Sequence, residues 1–190
     1  MEKRLILVTG GARSGKSNFA ERLLALCDGT KGYIATAVND DAEMGRRIKR
    51  HQERRPQSWR TFEVPQRLAE RLPQILTAVD AALIDCLTVY LSNWLFFHRS
   101  LPEDMAAERA LAEVDSLLAA AAASGKTVIF VTNEVGGGIV PMEKLSRFYR
   151  DLSGLMNQRV AAAADAVYLS VAGITLEIKS RQVLLPEAER

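Results

Sequence analysis

The residues that most clearly point to chemistry form a glycine-rich segment near the start of the chain. Residues 10–17 read Gly-Gly-Ala-Arg-Ser-Gly-Lys-Ser and fit the spacing G-x-x-x-x-G-K-[ST]. The apolar run Leu5–Val8 before them favours a buried strand, and the apolar spacing after Asn18 favours a helix. A strand, a glycine loop and a helix N-terminus together direct backbone N–H groups toward phosphate oxygens. We therefore expect Lys16 to contact the β- and γ-phosphates of a nucleoside triphosphate and Ser17 to ligate Mg²⁺.

A second phosphate-binding element is expected where four apolar residues end in a carboxylate, Asp85. In P-loop folds an acidic residue at the end of a neighbouring strand supports the Mg²⁺ shell, so Asp85 is the preferred metal ligand together with Ser17. Two alternatives stay open. Asp85 is instead the N-cap of a helix that begins near Leu87, or Glu134, after a later apolar run, is the metal-binding carboxylate.

Residues 43–60 concentrate positive charge around one histidine. In a helix, Arg47, His51, Arg54 and Arg55 would occupy one face. Such a segment is a solvated basic face, a nucleic-acid contact or a helix that handles phosphate. Few aromatic residues and a formal net charge of +2 argue against nucleic acid. Like-charge repulsion favours a neutral imidazole, which is a competent nucleophile toward phosphorus.

Three consecutive glycines at 136–138 follow the apolar run before Glu134. A flexible loop at the carboxyl end of a strand lies where α/β sheets bind ligands, and it could close over a substrate. A turn before a helix that begins near Pro141 explains the glycines equally well, because proline is common at the first helical position. The second histidine, His98, is expected at the surface or at a helix end.

Apolar runs alternate with amphipathic segments and predict an α/β fold, in which helices cover both faces of a parallel sheet. Strands are expected at Leu5–Thr9, Tyr33–Thr36, Ala81–Asp85, Thr127–Thr132 and Ala166–Val171. Period-two alternation at Ile174–Ile178 favours a final antiparallel edge strand. Helical spacing of apolar residues recurs within 102–123 and 145–156.

Length and composition favour one soluble globular domain over residues 1–190, with 48% hydrophobic and 25% charged residues. No apolar stretch reaches membrane-spanning length and no signal segment is recognisable, so a cytoplasmic protein without membrane insertion is expected. Cys27 and Cys86 stand alone in apolar surroundings and are expected to be buried thiols rather than a disulfide.

Several further segments, taken with the glycine loop, resemble one known family. They are Tyr33–Thr36, Arg47-Ile48-x-x-His51 with Arg55-Pro56-x-x-Trp59, Val131-Thr-Asn-Glu-Val-Gly136 through Ile139-Val140-Pro141, and Asn157-Gln158-Arg159 running into Ala161–Asp165. Over residues 5–179 the chain resembles the bifunctional adenosylcobinamide kinase / adenosylcobinamide-phosphate guanylyltransferase of cobalamin biosynthesis. This resemblance implies a P-loop NTPase three-layer sandwich of the RecA-like type, with helices on both faces of a mostly parallel sheet.

The resemblance also implies two reactions. In the first, the aminopropanol hydroxyl of adenosylcobinamide takes the γ-phosphate of ATP or GTP. In the second, a histidine attacks the α-phosphorus of GTP, releases pyrophosphate and carries GMP to the substrate phosphate, which gives adenosyl-GDP-cobinamide. His51 aligns with that nucleophile, and Lys16 is the other catalytic candidate.

The same resemblance implies Mg²⁺ as cofactor, GTP and ATP as substrates, a corrinoid partner and a homo-oligomer, since family members form trimers. The nucleotide contacts that it carries over are Gly10, Gly11, Ala12, Arg13, Ser14, Gly15, Lys16, Ser17, Thr36, Ala37, Val38, Gln52, Glu53, Arg54, Arg55, Glu63 and Asp85. Two other functions stay open. One is a P-loop small-molecule kinase in which His51 is merely a residue of a basic helix, and the other is a non-catalytic, nucleotide-dependent binding protein.

Overall fold

A computed structural model describes residues 4–38 and 56–184, which contain seven strands, five α-helices and a 3-10 turn at Lys179–Arg181. The strands are β1 (Leu5–Gly10), β2 (Lys31–Ala35), β3 (Arg60–Glu63), β4 (Ala81–Asp85), β5 (Thr127–Val131), β6 (Ala166–Val171) and β7 (Ile174–Glu177). The helices are α1 (Lys16–Ala25), α2 (Leu68–Ala78), α3 (Leu87–Phe97), α4 (Glu103–Ala123) and α5 (Lys144–Ala163). None of these helices is long and apolar enough to cross a membrane.

The strands form one sheet in the order β3-β2-β4-β5-β1-β6-β7. The pairs from β3 to β6 are parallel, and β7 adds to β6 in the antiparallel direction. This topology confirms the predicted mostly parallel sheet and its antiparallel edge strand. It also places β5 between β1 and β4, so the carboxyl ends of these three strands lie side by side.

Side chains alternate between the two faces of the sheet and pack into two apolar clusters. Leu5 and Leu7 of β1 lie in the cluster formed with α2, α3, α4 and α5, while Ile6 and Val8 pack with Leu24 of α1 on the opposite face. All five side chains are buried, which is worth about 1.5–3 kcal/mol for each of them. Helices therefore cover both faces of the sheet, as predicted.

The basic segment 43–60 was considered as a helix, but residues 57–59 form a turn and Arg60 begins β3. The part of that segment before Pro56 lies outside the described residues. β3 is a short edge strand that pairs with β2, and Phe62 is its one partly buried residue. Without an apolar run, nothing in the sequence marks this segment as a strand.

One prediction misplaces a helix start. The helix expected near Pro141 begins at Lys144 instead. The guanidinium of Arg147 on α5 donates hydrogen bonds to the carbonyl oxygens of Pro141 and Met142. These local contacts accompany a non-helical conformation of the two residues, and Glu143 is the N-cap of α5.

Candidate nucleotide-binding and phosphoryl-transfer site

The glycine loop connects β1 to α1 and passes through positions that favour glycine. A Cβ on Gly10 would lie 2.3 Å from the carbonyl oxygen of Ser170. Gly15, the N-cap of α1, has a φ of 93°, and a Cβ there would lie 3.2 Å from Cα of Gly173. Arg13 also adopts a left-handed φ, 57°, at the exposed part of the loop. This conformation leads directly into the N-terminus of α1, the arrangement that binds phosphate.

Lys16 and Ser17 open the helix that follows the loop. Lys16 is 8% exposed, and its Nζ donates to the carbonyl oxygen of Gly11 at 3.1 Å. Ser17 is half-buried, and its hydroxyl makes no hydrogen bond with the described part of the chain. A cation inside the loop and a hydroxyl beside it form the arrangement that the predicted phosphate and metal roles require.

Two distant segments support the loop. The backbone N–H of Gly173, in the turn between β6 and β7, donates to the carbonyl oxygen of Ser14 at 2.9 Å. The backbone N–H of Glu134, just after β5, donates to the carbonyl oxygen of Gly10 at 3.2 Å. The conformation of the loop therefore depends on tertiary structure as well as on its own glycines.

Asp85 lies at the carboxyl end of β4, on the same edge of the sheet as the loop. It pairs with Val131 of β5, which also pairs with Val8 of β1, so two strand spacings of about 4.8 Å separate Asp85 from β1. The hydroxyl of Tyr33 donates to Oδ2 of Asp85 at 2.8 Å. The N-cap of α3 is Cys86, and no side chain caps that helix, which excludes the alternative capping role of Asp85.

The donors available for Mg²⁺ are oxygen atoms, from the Ser17 hydroxyl and the Asp85 carboxylate. Mg²⁺ in nucleotide sites is usually held by one or two protein oxygens together with substrate phosphates. In residues 4–38 and 56–184 no three His, Cys, Asp or Glu residues gather into a metal-binding group. The residues present therefore fit a metal that is shared with a bound nucleotide. The rival carboxylate, Glu134, accepts a hydrogen bond from the backbone N–H of Gly136 at 2.7 Å.

The residues predicted at 36–38 have different environments. Thr36 is fully buried, and its Oγ1 accepts from the N–H of Cys86 at 2.9 Å and donates to the carbonyl oxygen of Cys86 at 2.8 Å. Ala37 is half-buried and Val38 is exposed. The Thr36 hydroxyl is thus committed to the end of β4, and the nucleotide contacts at 36–38 stay predictions.

Glu63 lies apart from the loop. It is an exposed residue that ends β3, and β2, β4 and β5 intervene between β3 and β1. Four strand spacings correspond to about 19 Å, so the structure does not bring Glu63 to the phosphate-binding loop.

The nucleophile candidate His51 and the predicted contacts Gln52, Glu53, Arg54 and Arg55 lie outside the described residues. These assignments stay predictions.

A cavity of about 310 Å³ opens at the carboxyl ends of β4 and β5. Its apolar lining comes from three valines, Val38, Val89 and Val135. Its polar lining comes from Thr88, Ser92, Asn93, Asn133 and Tyr149. We did not predict this cavity from the sequence, because α3 reads as an ordinary apolar helix. The signal that could have located it is Asn133, which belongs to the segment carrying the family resemblance.

Hydrogen bonds fix the polar lining of the cavity. Asn133 Nδ2 donates to Thr88 Oγ1 at 2.7 Å, and Asn157 Nδ2 donates to the carbonyl oxygen of Asn133 at 3.1 Å. The hydroxyl of Thr132 donates to Asn157 Oδ1 at 2.7 Å, and that of Tyr149 donates to the carbonyl oxygen of Thr88 at 2.9 Å. These contacts join β5, α3 and α5 and fix the shape of the cavity.

The Cys86 thiol and the Tyr149 phenol, both near this edge of the sheet, stay protonated at neutral pH. Burial, reinforced by the charge of Asp85, raises the pKa of the Cys86 thiol, although Lys16 opposes that shift. Burial also raises the pKa of the Tyr149 phenol. Both groups therefore act as neutral hydrogen-bonding groups rather than as nucleophiles or bases. Cys27 and Cys86 are free thiols; Cys86 is buried, as predicted, whereas Cys27 is only half-buried.

A mostly parallel α/β sheet with a glycine loop, a buried lysine at a helix N-terminus and an aspartate at a nearby strand end defines a P-loop nucleotide-binding protein. The sequence model of one family, described as cobinamide kinase / cobinamide phosphate guanyltransferase, matches residues 6–178. The chain belongs to that family.

Curated relatives include two proteins named bifunctional adenosylcobalamin biosynthesis protein CobU. That of Salmonella typhimurium (strain LT2) is 46% identical over 181 residues, which cover 92% of this chain and 99% of that protein. That of Escherichia coli (strain K12) is 44% identical over 182 residues, with the same coverage. The CobP protein of Pseudomonas aeruginosa is 42% identical over 173 residues, or 91% and 96% of the two chains. A solved KaiC-like protein from Pyrococcus horikoshii aligns at a TM-score of 0.48 and 13% identity, over 87% of this chain and 70% of that one.

Proposed function

We propose that this chain is a bifunctional enzyme that phosphorylates adenosylcobinamide and then transfers GMP from GTP to the phosphate so formed. The observation that carries the proposal is the glycine loop with Lys16 and Ser17 on the same sheet edge as Asp85, within a chain matched by the family over residues 6–178. The relatives described above are named as bifunctional proteins of adenosylcobalamin biosynthesis.

In the kinase step, the loop holds the triphosphate of ATP or GTP, and Lys16 neutralises charge on its β- and γ-phosphates. The aminopropanol hydroxyl oxygen forms a bond to the γ-phosphorus. The bond from that phosphorus to the β–γ bridging oxygen breaks, and its electron pair leaves with the nucleoside diphosphate while the hydroxyl proton is released to solvent. Such transfers depend mainly on positioning and on charge stabilisation, which a preformed loop supplies.

Ser17 and Asp85 are the proposed protein ligands of Mg²⁺. When bound, Mg²⁺ supplies further charge neutralisation at the β- and γ-phosphate oxygens. Tyr33 orients the carboxylate by donating to Oδ2, and Oδ1 accepts no hydrogen bond from the described residues. One carboxylate oxygen is thus left for the metal.

In the guanylyl-transfer step, we assign the nucleophile to His51. Its imidazole nitrogen forms a bond to the α-phosphorus of GTP, and the bond to the α–β bridging oxygen breaks to release pyrophosphate. A phosphate oxygen of adenosylcobinamide phosphate then attacks this phosphorus, and the electron pair of the broken bond returns to the nitrogen. The product is adenosyl-GDP-cobinamide. A covalent intermediate divides one difficult transfer into two displacements.

The remaining parts of the proposal follow from family membership. The nucleotide contacts are those predicted at residues 10–17, 36–38, 52–55, Glu63 and Asp85. The chain forms one domain over residues 1–190, and it works as a cytoplasmic homo-oligomer, a trimer in this family.

Incubation with α-³²P-GTP and Mg²⁺ tests the proposal. A phosphorus–nitrogen bond to histidine should give protein-bound label that acid removes and base does not. Wild type and His98→Ala should take up label, and His51→Ala should not. His98 is a suitable control because it lies at the end of α3, where its ring stacks on Trp94 with centroids 3.9 Å apart.

Kinase assays on the same variants separate the two activities. Lys16→Ala should lose both, because the phosphate site loses its charge, whereas His51→Ala should keep phosphorylation. A folded His51→Ala protein without kinase activity would contradict this division of roles. Kinase activity without any label would leave a simple kinase, and the absence of both would favour a binding protein.

A further inference from the structure

We propose that the 310 Å³ cavity binds the hydroxyl-bearing arm of the corrinoid in the kinase step and selects its uncharged form. The inference rests on the proposed function and deepens it, because it assigns the acceptor of the first reaction to particular side chains. The ring of the corrinoid is far larger than the cavity, so only the aminopropanol arm enters it.

The position of the cavity places such an arm next to the terminal phosphate. Ser17 and Asp85 are the proposed ligands of a metal that would bind the β- and γ-phosphates. Their positions therefore indicate where the β/γ end of the triphosphate lies. Thr88, three residues after Asp85, lines the cavity from the side of β4. On the other side, the segment containing Asn133 is tied to the loop by the hydrogen bond from Glu134 N–H to the Gly10 carbonyl. The cavity therefore opens at the sheet edge that carries the loop and Asp85, and Thr88 and Asn133 connect its lining to them through the chain.

The lining favours a small, neutral, amphipathic group. None of its described residues carries a charge, and Val89 and Val135 offer an apolar surface for a methyl group. An aminopropanol amide has one methyl, one hydroxyl and one amide N–H. Among the described residues of the lining a phosphate or a carboxylate would meet no cation, and burial of an unpaired charge is costly.

Two asparagines offer hydrogen-bond acceptors to such a group. Asn93 Nδ2 donates to the carbonyl oxygens of Thr36 at 2.8 Å and Pro65 at 3.3 Å, while Asn133 Nδ2 donates to Thr88 Oγ1. In the described structure the Oδ1 atoms of both asparagines accept no hydrogen bond. A hydroxyl that donates to one of these oxygens keeps a lone pair available for the γ-phosphorus.

The same lining explains how the product can move on to the second reaction. Once phosphorylated, the arm carries negative charge that none of the described lining residues compensates, so its affinity for the cavity falls. Adenosylcobinamide phosphate is then released from this cavity and becomes available to the guanylylated histidine. The cavity thus distinguishes the substrate of the first reaction from its product.

Variants that fill the cavity test the assignment. Ser92→Leu and Val135→Phe enlarge side chains that line the cavity, and neither residue belongs to the buried core. Ser116→Leu is the control, because it places a leucine on the exposed surface of α4. Equilibrium dialysis followed at the visible absorbance of the corrinoid measures the Kd for adenosylcobinamide with a non-hydrolysable ATP analogue present. We expect the Kd to rise at least about tenfold in the two cavity variants and to stay unchanged in Ser116→Leu. Thermal unfolding confirms that each variant is folded.

Labelling with α-³²P-GTP needs no acceptor and should be normal in all three variants. Unchanged adenosylcobinamide affinity in both cavity variants would overturn the assignment. Lost labelling or a raised KM for ATP in those variants would also overturn it, because the cavity would then belong to the nucleotide. A wild-type enzyme that binds and phosphorylates the corrinoid without taking label contradicts only the guanylyl-transfer part of the proposed function.

Discussion

One hydroxyl joins Thr36 to both backbone groups of Cys86. Thr36 Oγ1 accepts from the Cys86 N–H at 2.9 Å and donates to the Cys86 carbonyl oxygen at 2.8 Å. The carbonyl of Thr36 in turn accepts from Asn93 on α3. Because Cys86 directly follows Asp85, a side chain at the end of β2 fixes the backbone that carries the proposed metal ligand.

Thr36→Val should lower the free energy of unfolding by about 1–3 kcal/mol, because it removes the hydrogen bond to the buried N–H of Cys86 and one of the two to its carbonyl oxygen, which also accepts from the N–H of Tyr90. Thr36→Ser keeps the hydroxyl and should cost about 1 kcal/mol for the lost methyl group. Urea unfolding measures both values. Kinase activity should fall further in the valine variant, and equal stability of the two variants would contradict the role of the hydroxyl.

Asp85→Asn should raise the Mg²⁺ concentration that gives half-maximal kinase activity and lower kcat by about 100-fold or more, because a neutral amide is a poor metal ligand. Mg²⁺ titration of the kinase rate measures the effect. Tyr33→Phe serves as the control, since it removes the orienting hydrogen bond and keeps the charge, and its effect should be smaller. If Glu134→Gln shifts the Mg²⁺ dependence and Asp85→Asn does not, Glu134 is the ligand.

Tyr90→Phe should destabilise the fold by about 1–3 kcal/mol. The buried hydroxyl of Tyr90 donates to Glu113 Oε1 at 2.6 Å and accepts from the N–H of Leu68 at 3.0 Å, at the start of α2. Burial, followed by the hydrogen bond to Glu113, raises the pKa of this phenol, so the donor persists at alkaline pH. A double-mutant cycle with Glu113→Ala, measured by urea unfolding, should show positive coupling, and strictly additive effects would refute the interaction.

Glu177→Gln should reduce stability at pH 7 and much less at pH 3. Hydrogen bonds from Ser180, with further ones from Val167 and Lys179, lower the pKa of Glu177 to about 2, against about 4.3 in an unfolded chain. The stabilisation is therefore complete above the unfolded pKa and is lost as pH falls toward 2. Urea unfolding at both pH values measures the difference. Glu108→Gln, at an exposed position on α4, should leave stability unchanged, and a pH-independent loss in Glu177→Gln would exclude an ionic origin.

Most of the fold could be predicted because parallel strands buried on both faces appear as continuous apolar runs. Residues 81–85 and 127–131 are clear examples, and the alternation at 174–177 marks the half-exposed edge strand. β3 could not be predicted, since a polar edge strand depends on its partner for hydrogen bonds and carries no apolar signal of its own. The start of α5 was misplaced because the chain stays non-helical from Pro141 to the N-cap Glu143, against the local preference of proline for a first helical position.

The candidate site likewise has parts that could be predicted from the sequence and parts that could not. The loop at 10–17 is encoded locally by its glycine spacing, and Asp85 is marked by its place at the end of an apolar run. The cavity gathers residues from α3, α5 and the segment after β5, and these meet because β4 lies beside β5. That strand order cannot be read from sequence spacing. For the same reason, the distance between Glu63 and the loop became visible only with the sheet.

β1 pairs with β5 and β6, and its loop is held by Glu134 and Gly173. The triphosphate motif therefore precedes in the chain the segments that complete its shape. A nascent chain that displays the whole motif has no finished nucleotide site until the β6–β7 turn has emerged. Nucleotide binding can then stabilise only the completed sheet, so the nucleotide and the β6–β7 turn act together on the same folding equilibrium.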